Sequence, residues 1–133
     1  KRGMTMIVLV AGVNWIAVAV STVLCFGLGA LWYSPKLFGT KWAAGVGIEI
    51  GADAKQPLPA LAMQLLGTFL LAWIIALAIA NDAMPIAVLF AATSACLLMA
   101  GSMFGQNSRY ATVAEGSFVM AMAVIMIVCQ SLF

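Results

Sequence analysis

Glu115 is the residue whose type and position could do chemistry. It lies in "YATVAEGSF", Tyr110 to Phe118, at the head of a long apolar run. A carboxylate inside a membrane-length apolar segment is by default a candidate for ion or proton handling, in a pore, a proton path or a partner contact. A second role also suits it. About a turn and a half beyond Arg109, a carboxylate can stay at headgroup level, anchor or cap its helix with Arg109, and gain from the positive end of the helix dipole. Asn14 and Gln64 are the amides nearest to mid-span, where a polar side chain is expected to hydrogen-bond across helices. Glu115, Asn14, Gln64 and Arg109 are therefore the candidate functional polar residues.

Little else could support catalysis. Histidine is absent, and the remaining carboxylates are Glu49, Asp53 and Asp82. Paired acid–base groups, Ser/His or Cys/His nucleophile systems and zinc sites have almost nothing to be built from. Cys25, Cys96 and Cys129 are far apart, sit in apolar runs and form no C-x-x-C pair, which reads as small buried hydrophobes. The nine Met residues read as flexible core packing rather than soft-metal ligands. Six scattered basic residues make no nucleic-acid stripe. The expectation is a protein that is not an enzyme, with no metal, cofactor or nucleic-acid partner.

The elements that must position these residues are membrane helices. A chain of 133 residues that is 65% hydrophobic and 8% charged, with mean hydropathy +1.15, has too little polar surface to coat a soluble globule. Segments 3–35, 56–81, 83–108 and 116–133 contain no Lys, Arg, Asp or Glu. Each reaches or approaches the ~20 residues that span a bilayer as helix. The predicted fold is all-α, a single-domain integral membrane four-helix bundle. Its helices are expected at about 4–33, 58–80, 83–104 and 110–133, with a short interfacial helix at about 35–46. Apolar character that persists to the last residue argues against a cleaved signal peptide before a polar domain. The numbering opens on Lys1, and Met4 is a candidate start.

Ala17, Ser21, Cys25 and Gly29 recur every four residues on the first helix, and Gln64, Thr68, Ala72 and Ala76 do so on the second. In lipid, such small or weakly polar stripes let helix backbones approach, so both are expected to face the bundle. Ser34 and Pro35 suit the N-cap and first position of the interfacial helix. The Gly- and Pro-rich stretch from Gly45 to Pro59, with Glu49, Asp53 and Lys55, is a loop. Asn81-Asp82 makes the second and third helices a hairpin, with Asp82 a candidate N-cap. The small residues from Ala91 to Cys96 predict that the third helix is central. Lys36, Lys41, Lys55 and Arg109 lie on the side opposite the termini, against Lys1 and Arg2 on the terminal side. The positive-inside rule then places both termini outside the cytoplasm.

"NWIAV" (Asn14 to Val18) followed by "GALWYSPKLFGTKW" (Gly29 to Trp42) resembles the opening of the bacterial domain of unknown function 1761 family. "EGSF" (Glu115 to Phe118) is similar to the acidic or amide residue, Gly and aromatic that open the family's last helix. The resemblance covers Asn14 to Phe133. It implies a small four-helix bacterial inner-membrane protein with an elbow made by Gly29, Trp32, Tyr33, Ser34, Pro35, Phe38, Gly39 and Trp42, and it implies no activity. Similar proteins begin almost directly at the Asn, so segment 4–13 makes the first helix unusually long or moves its start to about Val13. The basic turn before the family's last helix is reduced here to Arg109. The function expected is that of an accessory or scaffold subunit, with the lipid bilayer and other transmembrane proteins, or further copies of itself, as partners. The alternative is a small oligomeric transporter or channel using Glu115.

Overall fold

The computed structural model describes residues 7–48 and 58–133. The expected loop residues Glu49, Asp53 and Lys55, the terminal Lys1 and Arg2, and Met4 lie outside the described residues. The helices are α1 (Trp15–Trp32), α2 (Gly39–Val46), α3 (Leu58–Ala80), α4 (Met84–Phe104) and α5 (Arg109–Leu132). All but α2 are long and apolar enough to cross a membrane. The described residues contain no strand.

The first spanning helix begins at Trp15. Gly12 has φ +74°, a conformation a helix cannot continue through, and Asn14 is extended with its side chain accepting from Ala17 N–H at 3.2 Å. Asn14 thus serves its own helix end rather than bonding across helices. Removing that acceptor leaves an orphan first-turn amide. Asn14→Ala should lower stability by about 1 kcal/mol, with Asn14→Asp close to the parent; thermal unfolding in detergent measures both.

Ser34 also departs from its expected role. Its hydroxyl donates back to Leu31 O at 2.6 Å, so it does not cap α2, which starts at Gly39 after a turn over Pro35–Phe38. Asp82 is not the cap of α4 either. It takes φ +53° within the turn, Ala83 occupies the cap position, and Pro85 lies in the first turn. Ala83 N–H closes the hairpin onto Ala78 O at 2.7 Å.

The central helix is α5 rather than α4. It packs against all four other helices, whereas α4 packs chiefly on α3 and α5. The buried residues explain the exchange. On α4 they form one narrow line, Ala87, Ala91 and Ala95, joined by Ser102, while Cys96 and Thr93 face outward. On α5, Ala111, Ala114, Phe118, Met122, Met126 and Cys129 are buried together with Val119 and Ala123, so several faces are covered at once. The α1 stripe meets it: Ala17, Ser21 and Cys25 are fully buried, and Cys25 Sγ lies 3.6 Å from Met122 O. On α3, Thr68, Ala72 and Ala76 are buried, but Gln64 at the head of that stripe is exposed.

The α4–α5 turn is held by a polar knot. Asn107 Nδ2 and Thr112 Oγ1 each lie 3.0 Å from Ser102 Oγ, and Ser108 Oγ accepts from Ala111 N–H at 3.0 Å. This fixes where α5 begins, and hence where Glu115 sits.

Candidate functional site

The elbow and the head of α5 form one site. Trp32, the last residue of α1, donates its indole N–H to Ala114 O at 3.0 Å. Ten residues on, Trp42 of α2 donates its own to Glu115 Oε1 at 3.2 Å. Two indoles from either side of the elbow therefore grip consecutive residues of α5. In lipid, where burying apolar surface gains little, such hydrogen bonds and close packing hold helices together.

Rings fill the space between them. Tyr33 lies 4.6 Å from Trp42 and 5.3 Å from Phe118, and Trp32 lies 4.8 Å from Phe38 and 5.9 Å from Phe118, centroid to centroid. These separations fall in the favourable window for tilted and edge-on pairs, each worth about 1 kcal/mol beyond burial. Gly29 makes room for Phe118, since a Cβ there would stand 3.1 Å from its Cζ. Burial, with the Glu115 carboxylate adding to it, pushes the Tyr33 phenol above its ordinary range, so it stays protonated.

The elbow is closed on itself by its backbone. Phe38 N–H donates to Trp32 O at 3.2 Å and Gly39 N–H to Ser34 O at 2.8 Å. Gly39 is buried against the Tyr33 carbonyl. At the other end of α2, Ser108 N–H donates to Gly45 O at 3.0 Å, and Gly45 has no room for a Cβ beside Ser108 and Ala111. Lys41 Nζ stands 5.4 Å from the Tyr110 ring centroid, a further tie between α2 and the head of α5.

Glu115 is thus partnered by Trp42, and no ion pair with Arg109 occurs among the described residues. Arg109 is exposed at the first position of α5. Glu115 Oε2 is buried without a hydrogen-bond partner. Among the described residues, no group of three His, Cys, Asp or Glu could hold a metal ion. The site as built can lock α2 and the end of α1 onto α5, and it leaves Oε2 buried and unspent. Pro35 and Lys36 stay exposed in the turn.

The family model described as "Protein of unknown function (DUF1761)" matches residues 16–131, which take in the elbow, Glu115 and all four spans but for one end residue each of the first and last. The chain belongs to the DUF1761 family. No curated protein and no solved structure matches it. In this DUF1761 member two of the stretches that carry the resemblance, the elbow and "EGSF", touch each other.

Sequence reasoning missed several participants. Gly45 and Gly116 were legible as glycines, but nothing local says that they face Ser108 and Met99. At the opposite end of the bundle, Trp73 Nε1 donates to Leu9 O at 2.8 Å and its ring lies 5.4 Å from that of Trp15. Gln130 Nε2 is buried there, in the last turns of α5, without a partner. No sequence signal marks these pairings, because they depend on which helices are neighbours.

Proposed function

We propose that this protein is a non-catalytic subunit of the bacterial cytoplasmic membrane, an accessory or scaffold protein that packs against itself or a larger membrane complex, with both termini on the non-cytoplasmic side. One observation carries the reading. The acidic residue within the spans accepts from the Trp42 indole, whose ring packs at a tilt against Tyr33, so its main work is to fix the elbow. A body held together in this way acts through its outer surface, which carries exposed large apolar side chains on all four spans. Lys36, Lys41 and Arg109 at the elbow end support this orientation. Gentle purification from native membranes tests the role: a stable companion or self-assembly is expected, and a lone monomer under every mild condition overturns it.

The orphan Oε2 of Glu115 favours one second reading, a small oligomeric transporter. In vesicles, the scaffold reading expects ion and proton flux at background for both the parent and Glu115→Gln. A proton-coupled flux in the parent that Glu115→Gln abolishes would replace it with the transporter.

A further inference from the structure

A groove of about 250 Å³ runs along the outer surface between α3 and α4, lined by Met63, Gln64 and Gly67 of α3 and Ser94 and Leu98 of α4, with Met122 of α5 among its other walls. Three polar side chains border it, and two are already spent. Thr68 Oγ1 donates to Gln64 O at 2.7 Å, and Ser94 Oγ to Phe90 O at 2.9 Å, both within their own helices. Gln64 is different. Its amide nitrogen makes one long contact, 3.4 Å to Thr68 Oγ1, and its Oε1 accepts nothing among the described residues. It is exposed six residues into α3, roughly 9 Å from the start of a helix long and apolar enough to span a membrane.

A carboxamide with unspent donor and acceptor in hydrocarbon is costly, and an acyl chain lying in the groove would leave it so. An amide is also complementary to itself, since each can give an N–H and take one on its oxygen. A two-fold axis along the membrane normal brings Gln64 of two copies to the same depth automatically, whereas a foreign helix must supply a matching donor and acceptor there. Gly67, on the same face nearly one turn further on, permits the approach: a Cβ there would meet nothing within 4 Å. Met63, 67% exposed at the rim, is a flexible knob for the opposing groove.

We infer that a second copy of this chain occupies the groove, in a parallel dimer whose α3 helices pair through Gln64 and Gly67. This rests on the scaffold reading and names its partner. The test is a dilution series of the full-length chain in phosphatidylethanolamine–phosphatidylglycerol vesicles, following energy transfer between labelled copies. The parent should dimerise. Gln64→Leu should raise the dimer dissociation constant about tenfold, and Gly67→Leu should do so at least as much. Val23→Leu, on the 71% exposed outer side of α1, should leave it unchanged. Circular dichroism identical to the parent shows that the variants fold. A monomeric parent overturns the inference, as does a dimer that both α3 variants leave intact. A monomeric parent that still co-purifies with another membrane protein overturns the dimer and leaves the scaffold reading standing.

Discussion

Gly39→Ala should destabilise the protein by about 3 kcal/mol, read as a fall in the thermal midpoint in detergent and as loss of the Trp42 environment in fluorescence. The added Cβ would collide with the carbonyl group of Tyr33 and the carbonyl carbon of Ser34. These are backbone atoms, and they cannot swing aside as the end of a side chain can. Relief requires opening the bonds from Phe38 N–H to Trp32 O and from Gly39 N–H to Ser34 O, which close the elbow. Opening them moves the start of α2, and with it Trp42, away from Glu115. Gly27→Ala is the matched control. Gly27 is exposed on α1, and a Cβ added there would meet nothing within 4 Å, so alanine should be neutral or slightly stabilising through helix propensity. Equal midpoints for the two variants would show that the elbow does not depend on Gly39.

Trp32→Ala is expected to cost about 3 kcal/mol or more, and Trp32→Phe only about 1 kcal/mol. The difference separates the two parts of the residue. Phenylalanine retains a ring against Phe38 and Phe118 but loses the N–H that reaches Ala114 O. That carbonyl belongs to a continuous helix, so removing the indole leaves no buried acceptor wholly unpaired, and the loss stays small. Alanine also removes the ring from the middle of the aromatic cluster. Lipid cannot readily fill the void between α1, the elbow turn and α5, so the dispersion contacts are lost outright. Denaturation in a mixed-detergent titration measures both variants, and nearly equal costs would mean that the hydrogen bond rather than the packing holds the elbow.

These expectations sharpen what the elbow does. Its aromatics could be read as headgroup-level anchors, each acting alone with the bilayer. The structure makes them a clasp in which Trp32 and Trp42 hold Ala114 and Glu115. The same geometry gives Glu115 an indole as its partner in place of Arg109, six residues earlier on the same helix. Arg109 was the nearer charge along the chain, but six residues on a helix do not share a face, and Arg109 is exposed at the helix start while Trp42 lies beside Glu115.

What was legible in the sequence depends on near neighbours along the chain. Runs without charge, of bilayer length, specify four spans; the α3 bounds, Leu58 to Ala80, follow from Pro57 and Asn81-Asp82, and polar residues mark the turn before α5. The α1 stripe was legible too, since a four-residue period records which side of a helix is narrow. The same period placed Gln64 inward with Thr68, yet the structure leaves Gln64 outside, because the bundle contact on α3 ends at Thr68. The small residues of α4 likewise promised a central helix, and tertiary packing gave that place to α5. By itself, then, the sequence determined the number, length and breaks of the helices, which rest on hydropathy and capping over a few residues. Only the tertiary structure decided which helix is central and that the elbow closes on Glu115, because those contacts join residues more than seventy positions apart and depend on the mutual fit of helices rather than on any one of them.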